Sequence, residues 1–393
     1  MKRTILDYDL YNKRVIIRVD FNVPIKDGVI QDDTRIRASL KTIKYAMDKK
    51  AKVILLSHLG KVKEESDLSK NDMYPVSIRL GELLHKDILF SSKTRGTELE
   101  NMVFCMKNGD ILLVQNTRYE DLDGNKESGC DLKLSRYWAN LGDIFINDAY
   151  GTCHRGHASN VGIAKFLPNG VGFLVLNEIQ KLDSIMNENT RPFVVMMGGA
   201  KVHDKIRVIE NLIKNCDYLL IGGGMAYTFF AALNIHIGKS LVDDEGISFC
   251  REMLDKYQEK IILPVDHVVA TSIEDNKTRV CNINETKDDE MGFDIGPLTI
   301  EKFSSILSRA KRVIINGPMG LFENVNYQNG TKCIYDFIVN NHIKALVGGG
   351  DSAASVNMLS DASKFYHIST GGGATLEYLE GKSLPGIEVI HEK

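Results

Sequence analysis

The stretch Gly348-Gly349-Gly350-Asp351-Ser352 has residue types suited to binding a phosphate. Glycines let backbone N–H groups approach an anion without interference from side chains. Because phosphate repels a carboxylate unless a cation lies between them, Asp351 points to a bound Mg²⁺. Taken alone, however, the stretch fits a tight strand-to-helix turn with a capping Asp better than it fits a binding site.

Other turns of the same kind change that balance. Five apolar runs of the second half end in glycine-rich turns, namely Phe193–Met197, Tyr218–Ile221, Arg312–Ile315, Ala345–Val347 and Phe365–Ile368. If these runs are strands of one parallel sheet, the turns lie at its carboxyl edge, where ligands bind in open α/β sheets. The pattern predicts a crevice for an extended, phosphate-bearing ligand.

Two familiar nucleotide motifs do not explain these turns. Neither Gly-Lys-Ser sequence of the chain has the earlier glycine that a P-loop requires. The dinucleotide fingerprint G-x-G-x-x-G/A does match from Gly348 to Ala353. That fingerprint also needs an acid about 20 residues further on to hold a ribose, and none lies between Asp361 and Glu377. A dehydrogenase is therefore disfavoured, although it remains the alternative on the same class of fold.

The predicted strands of the first half end in polar and charged residues, whereas those of the second half end in glycines. The polar residues at its predicted strand ends are Asp20, Asn22, His58, Arg118 and Arg155. Arg35 adds a guanidinium in the first turn of a predicted helix, where the helix dipole disfavours a cation. It therefore needs an anionic partner, which could be Asp32, Asp33 or a substrate. Since arginine matches carboxylate and phosphate oxygens two at a time, converging arginines would suit a small polyanion.

An anion cradle in one half and a glycine-lined crevice in the other indicate phosphoryl transfer between two bound substrates. Such chemistry depends on positioning and charge stabilisation more than on covalent help. It also requires that water be excluded, so we expect two domains that close on their ligands. A non-catalytic nucleotide-binding regulator would not require the arginines.

Alternation of apolar strands with helical stripes predicts an α/β fold with two doubly wound, parallel-sheet, Rossmann-like domains joined by a central helix and hinge. The helical stripe at Leu176, Ile179, Leu182 and Met186 marks the boundary. The predicted divisions are residues 1–172, an interdomain helix at 173–186, and residues 187–381. We expect a loop from Val62 to Met73 and a pause in the pattern around Gly170.

Composition limits the class of protein. With 393 residues, 43% hydrophobic and 26% charged, the chain is an ordinary globular protein long enough for two domains. A net charge of −3 argues against nucleic-acid or membrane binding. Seven scattered cysteines without a C-x-x-C pair favour free thiols in the cytoplasm. Cys153, His154 and His157 form the one metal-like cluster, which lacks further ligands for zinc. No feature requires more than a monomer.

The chain resembles the phosphoglycerate kinase family from end to end. The stretches that carry the resemblance are Arg18–Pro24, Ser57–Gly60, Asn147–Gly151, His154-Arg155, Gly198–Val202, Asn316–Glu323, Gly348–Ser352 and Ser369–Ala374. The resemblance implies reversible phosphoryl transfer between 1,3-bisphosphoglycerate and Mg-ADP, giving 3-phosphoglycerate and Mg-ATP. It also implies that the tail, residues 382–393, packs back on the first domain.

The resemblance further implies roles for single residues. Phosphoglycerate would be held by Asp20, Phe21, Asn22, Arg35, His58, Leu59, Gly60, Lys61, Arg118 and Arg155. The nucleotide would be held by Lys201, Lys205, Gly222, Gly292, Asn316, Glu323, Gly349, Gly350, Asp351 and Ser352. Asp351 would hold Mg²⁺, and the migrating phosphoryl group would be stabilised by Arg35, Lys201, Gly349 and Gly372.

Three positions depart from the family pattern. Lys61 stands where an arginine is usual, which keeps the charge but loses the bidentate fork. Ile315 replaces a tryptophan, and we expect an effect on packing only. His203 replaces a serine, and we expect it to be exposed to solvent.

Overall fold

Two parallel six-stranded sheets contain the apolar runs picked out above. The computed structural model describes all 393 residues. The chain divides into two compact units, which we call unit 1 (Met1–Gln180 with Ser383–Lys393) and unit 2 (Lys181–Lys382). None of the helices is long and apolar enough to cross a membrane.

The sheet of unit 1 has the strand order β5-β6-β4-β1-β7-β8. Its strands are β1 (Arg14–Arg18), β4 (Lys52–Leu56), β5 (Leu89–Ser91), β6 (Ile111–Val114), β7 (Ile144–Asn147) and β8 (Asn169–Val171), and a separate hairpin is formed by β2 (Ile25–Lys26) and β3 (Val29–Ile30). Strands β6 and β7 are buried along their whole length. Helices cover both faces of such a sheet, which explains why its strands are continuous apolar runs.

The helices of unit 1 are α1 (Thr34–Asp48), α2 (Ser66–Lys70), α3 (Tyr74–Leu84), α4 (Thr97–Cys105), α5 (Leu132–Ala139) and α14 (Pro385–Glu388). Helix α2 corrects the prediction of a loop from Val62 to Met73. It buries no residue, so it leaves no apolar period in the sequence. Strand β8 likewise occupies the predicted pause around Gly170.

The sheet of unit 2 has the order β11-β10-β9-β15-β16-β17. Its strands are β9 (Phe193–Met197), β10 (Tyr218–Ile221), β11 (Ile261–Ile262), β15 (Arg312–Asn316), β16 (Ala345–Val347) and β17 (His367–Ile368). The five strands predicted to end in glycine-rich turns are thus consecutive neighbours of one sheet, and every pair is parallel.

An antiparallel sheet that the sequence pattern did not predict belongs to the same unit. It consists of β12 (Asp266–Ala270), β13 (Arg279–Asn282) and β14 (Met291–Ile295), with β12 in the centre. The pairing of β12 with β14 shifts register between Val268 and Val269, which leaves Phe293 unpaired as a β-bulge.

The helices of unit 2 are α7 (Ile206–Asn215), α8 (Met225–Ala232), α9 (Ile247–Tyr257), α10 (Pro297–Leu307), α11 (Asn329–Asn340), α12 (Gly350–Leu359) and α13 (Gly373–Leu379). Ile315 is fully buried in β15 within the apolar core of this unit, where its side chain contributes to packing. The side chain of His203 is 56% exposed, as expected.

Helix α6 (Phe173–Asn187) begins in unit 1 and ends in unit 2. At its start, Oδ1 of the fully buried Asp148 accepts a hydrogen bond from the Leu174 N–H at 2.8 Å. At its end, the guanidinium of Arg312 donates to the carbonyls of Ile185 and Met186. A carboxyl oxygen therefore lies at the positive end of the helix dipole and a guanidinium at the negative end.

The segment Ser383–Lys393 packs within unit 1. The side-chain amide of Asn147, at the end of β7, donates to the Gly386 carbonyl at 2.9 Å, and the Gly386 N–H donates to the Cys153 carbonyl at 2.8 Å. Lys2 and Glu392 form a β-bridge and an ion pair of 2.8 Å.

Candidate active site

The candidate phosphoglycerate residues of unit 1 follow strands β6, β4, β1 and β7, which are consecutive in the sheet, except for Arg35, which lies in the first turn of α1. Their turns are tied together by hydrogen bonds. Asn22 accepts from the Gly60 N–H at 2.8 Å, and Asn116 accepts from the Leu59 N–H at 3.1 Å. The N–H of Phe21, whose side chain is buried in the core, donates to the Ser57 hydroxyl at 2.9 Å. These polar side chains therefore fix the backbone of the site.

Arg35 contacts neither Asp32 nor Asp33. Its Nη1 lies 2.9 Å from Oδ2 of Asp20, and 41% of the Arg35 side chain is exposed. Asp33 instead pairs with two other arginines, Arg37 at 2.8 Å and Arg79 at 2.7 Å. The partner of Arg35 is thus a neighbour from the end of β1 rather than a helix-capping acid.

His58 is a buried, neutral imidazole. Burial, together with the positive charges of Arg18 and Arg118, lowers the pKa of His58 well below its usual range. The Nη2 atom of Arg18 lies 3.2 Å from Nδ1 of His58. Because a guanidinium can only donate, Nδ1 is the acceptor and the ring proton is on Nε2. Arg18, which was not among the predicted site residues, therefore sets the tautomer of one that was.

The remaining predicted cations of unit 1 are less tightly held. Arg118 is largely buried with Nη1 3.7 Å from Oδ2 of Asp121. Burial lowers the pKa of Arg118, and the nearby charge of Arg155 lowers it further. Arg155 is exposed with its Nε 3.1 Å from Nε2 of His154, and Lys61 is exposed without an ion-pair partner. With Arg18 and Arg35, unit 1 brings four guanidinium groups to this site, and carboxylates lie beside Arg18, Arg35 and Arg118.

In unit 2, the backbones of the glycine-rich turns after β9 and β15 are in direct contact with each other. A Cβ atom on Gly198 would lie 1.9 Å from the Pro318 carbonyl oxygen, and one on Gly317 would lie 2.2 Å from the Gly198 oxygen. No other residue type fits at these two positions. The N–H of Gly317 also donates to the Ser352 hydroxyl at 2.6 Å, and the Asn316 amide donates to the Gly348 carbonyl at 3.0 Å. Asn316 and Ser352 thus join the turns.

Lys205 lies across the same turns. Its Nζ donates to the carbonyls of Gly198 at 2.7 Å and Asn316 at 3.0 Å. Burial lowers the pKa of Lys205 to about 8, against the opposing effect of the Asp351 charge. The ammonium group is therefore held in a partly desolvated position near the Asp351 carboxylate.

A cavity of about 500 Å³ opens beside these turns. Three predicted nucleotide residues, Gly292, Glu323 and Asp351, line it, and Gly223 lines it where Gly222 was predicted. Its apolar walls, which sequence reasoning missed, are Leu241, Ile273, Met291, Phe293, Leu321 and Phe322. These residues come from four separate parts of the chain and share no period. The β-bulge brings Phe293 into the cavity wall, and no sequence pattern predicts that bulge.

Asp351 lies in the first turn of α12, and its exposed carboxylate accepts no hydrogen bond from the protein. The preceding Gly349 has a φ of 98°, a conformation that favours glycine and lets the chain turn sharply into the helix. Gly350 is exposed, whereas Gly372 precedes α13 and is partly buried. Lys201 is exposed on the turn after β9 and does not line the cavity.

No group of three or more His, Cys, Asp or Glu side chains could hold a metal ion by itself. Asp351 is therefore the one predicted ligand, and an ion there would need further oxygen ligands from a substrate.

Comparison with known proteins identifies the family. The model of the phosphoglycerate kinase family matches residues 5–382. The chain belongs to the phosphoglycerate kinase family. It is 51% identical to the phosphoglycerate kinases of Lacticaseibacillus casei and Enterococcus faecalis, with full coverage of both chains in each case. The solved structure of the phosphoglycerate kinase from Coxiella burnetii superposes with a TM-score of 0.89 at 35% identity, covering 99% of this chain and 98% of that one.

Membership confirms the predicted reaction. The chain is a kinase of glycolysis that transfers a phosphoryl group reversibly between 1,3-bisphosphoglycerate and ADP. Its substrates are a phosphoglycerate and an adenine nucleotide. The oxidoreductase alternative has no support from these comparisons.

Proposed function

We propose that each unit binds one substrate, phosphoglycerate on residues 1–172 and the nucleotide on residues 187–381, with 173–186 as the connecting helix. The observation that supports this division is the different chemistry of the two sites. Unit 1 has buried guanidinium groups, and unit 2 has backbone N–H groups beside an apolar cavity. The first suits a small polyanion, and the second suits a base joined to phosphates.

In this proposal the substrate anion is bound by Arg118, Arg155, Lys61 and the Nε2–H of His58. Asp20 and Asn22 shape the site, since their side chains hold Arg35 and the Gly60 backbone. Arg35 acts on the transferring group. It keeps most of its five N–H donors free, because Asp20 occupies only one of them.

The base of the nucleotide occupies the apolar cavity, with Gly292 in its wall and Glu323 at the ribose. Lys205 and the turn of Gly349, Gly350 and Ser352 meet the phosphates. Lys201 and the N–H groups near Gly372 stabilise the phosphoryl group in transit. Charge stabilisation of this kind is the main contribution that a protein makes to phosphoryl transfer.

Magnesium fits Asp351. A carboxylate that accepts no hydrogen bond from the protein, beside a phosphate site, supplies the hard oxygen ligand that Mg²⁺ prefers. When bound with the nucleotide, the metal neutralises charge on the phosphates. Transfer is in line and direct, and it requires the two units to close so that water is excluded.

The test separates the two sites by calorimetry with 3-phosphoglycerate and Mg-ADP added singly. Arg118→Ala should weaken 3-phosphoglycerate binding and leave Mg-ADP binding unchanged, and Lys205→Ala should do the reverse. Arg37→Ala is the control, since Arg37 is an exposed arginine of unit 1 paired with Asp33. Equal losses for both ligands in either variant would refute the division between units.

We also propose that the enzyme acts as a monomer in the cytoplasm, without nucleic-acid or membrane partners. All seven cysteines are free thiols, which fits a reducing compartment. Light scattering across a range of protein concentrations checks the oligomeric state.

A further inference from the structure

Glu127 is a fully buried carboxylate that the proposed function does not use. It lies in the segment between β6 and α5, and both of its oxygens accept hydrogen bonds from Ser159. The Ser159 N–H donates to Oε2 at 2.9 Å, and the Ser159 hydroxyl donates to Oε1 at 2.5 Å. A charge with no solvent contact is retained only when it is paired and hydrogen-bonded.

The charge that balances Glu127 is that of Arg18. Nε of the fully buried Arg18 lies 2.7 Å from the Ser159 hydroxyl oxygen. Since Nε is only a donor, the hydroxyl must accept from Arg18 and give its own proton to Glu127. The direction of each hydrogen bond is therefore determined. Protonation of Glu127, or its replacement by an amide, would disturb this order.

The series continues to the candidate substrate site. Arg18 donates from Nη2 to Nδ1 of His58 at 3.2 Å, which leaves Nε2–H as the only donor of that ring. The guanidinium also donates to the Val19 carbonyl, so its plane is fixed from two sides. Nδ1 of His58 lies 3.9 Å from Oδ1 of Asp20, which holds Arg35 through its other oxygen.

We propose that Glu127 is a positioning residue for phosphoglycerate binding. Through Ser159 it holds the Arg18 guanidinium, and Arg18 holds His58 as the tautomer that donates from Nε2. The inference rests on the proposed function of unit 1, because it assumes that His58 faces the substrate anion. Glu127 itself does not touch the substrate.

A purely structural role would affect only stability, so the experiment reads the His58 ring directly. The full-length chain is labelled with ¹⁵N-histidine, and long-range ¹H–¹⁵N spectra report the tautomer of each ring. Calorimetry gives the Kd of 3-phosphoglycerate and of Mg-ADP. The variants are Glu127→Gln, which keeps the shape and removes the charge, and Ser159→Ala, which keeps every charge and removes the link.

Both variants should shift His58 from a single Nε2–H tautomer to a mixture. Each should raise the Kd of 3-phosphoglycerate by about 2- to 10-fold, because the Kd scales inversely with the fraction of His58 that keeps the Nε2–H tautomer, with the Kd of Mg-ADP unchanged. Their effects should not add in the double variant, because both break one series. Asp131→Ala is the control. Asp131 caps α5 in the same segment through the Leu134 N–H at 2.7 Å, so this change should lower the Tm without moving His58.

Unchanged His58 resonances and an unchanged Kd in a folded variant would overturn the inference. Ser159→Ala decides the matter if Glu127→Gln does not fold. The proposed function is tested separately, on the wild type. If 3-phosphoglycerate does not shift the His58 resonance, His58 does not face the substrate, and the proposed phosphoglycerate site is wrong whatever the variants show.

Discussion

At the scale of single residues, Arg35 has an electrostatically unfavourable position that the proposed function explains. A guanidinium in the first turn of α1 opposes the helix dipole, and one carboxylate at 2.9 Å offsets this only in part. Since 41% of the side chain stays exposed, an incoming phosphoryl group can add the missing negative charge.

Arg35→Ala should therefore lower kcat by at least ~10²-fold with little effect on nucleotide binding, because the lost interaction belongs to the transition state. Steady-state kinetics in both directions measure this, and Arg37→Ala, on the same helix, should leave kcat unchanged. A variant that keeps its kcat and shows only a higher KM would make Arg35 a binding residue.

Asp351 supports a second prediction at this scale. Asp351→Ala should weaken Mg-ADP binding while 3-phosphoglycerate binding stays the same, because the carboxylate lies in unit 2 and is free to bind the ion. Calorimetry with and without Mg²⁺ measures this. ADP alone should bind the variant and the wild type with similar affinity, and a loss of metal-free binding would assign Asp351 to the nucleotide instead.

At the scale of elements, helix α6 is held at each end by a buried ionisable side chain from the unit in which that end lies. Asp148 holds the start and Arg312 the end, and Thr42 accepts from the N–H of Phe173 at 2.9 Å. Neither side chain could be assigned to the helix from the sequence, because Asp148 and Arg312 lie far along the chain from the helix ends that they contact.

Asp148 makes the stability of the fold depend on pH. Burial raises the pKa of Asp148 to about 7, whereas an unfolded aspartate titrates near about 3.9. The folded state holds the proton more tightly, so this contribution to the free energy of unfolding is full below about pH 4 and is lost as the pH rises through about 7. Asp148→Asn should remove this loss, which has a slope of up to about 1.4 kcal/mol per pH unit.

Urea unfolding of the wild type and Asp148→Asn between pH 5 and 8 measures the difference. The stability of the variant relative to the wild type should rise with pH. Asp131→Asn, at the partly exposed cap of α5, should leave the pH dependence unchanged. A constant difference between wild type and Asp148→Asn would show that Asp148 does not titrate in this range.

The elements that could be predicted from the sequence are those whose burial is complete. Lys52–Leu56 and Phe193–Met197 are continuous apolar runs because both faces of their sheets are covered, and the strands have these same bounds. The pattern could not reveal α2, which buries nothing, or the bulged sheet containing Phe293. The candidate site could also be predicted only in part. The sequence pattern indicated the glycines and arginines at strand ends, whereas the cavity walls and the supporting role of Arg18 depend on contacts between segments distant in sequence.

At the scale of the whole molecule, unit 1 is assembled from two separate parts of the chain. Leu384 and Ile390 of the second part are almost fully buried, and their burial is worth about 3–6 kcal/mol. The same segment covers Asn147 and Cys153, beside the candidate cradle.

Removal of residues 383–393 should therefore destabilise unit 1 and leave unit 2 intact. We expect the truncated protein to have a lower Tm, to lose 3-phosphoglycerate binding and to retain Mg-ADP binding. Thermal unfolding and calorimetry on the same protein measure these three properties. Addition of a synthetic peptide of the missing residues should restore part of the Tm. Loss of Mg-ADP binding to the same extent would mean that the segment supports both units.

The interrupted construction of unit 1 also sets an order of events on the ribosome. Residues 181–382 contain every segment of unit 2, so the last segment of that unit precedes the last segment of unit 1 along the chain. Unit 1 is translated first, yet it lacks Leu384 and Ile390 until synthesis has passed residue 390. The half of the enzyme that is synthesised first is thus the half that is finished last, and a chain that ends before residue 383 contains every segment of unit 2 but only part of unit 1.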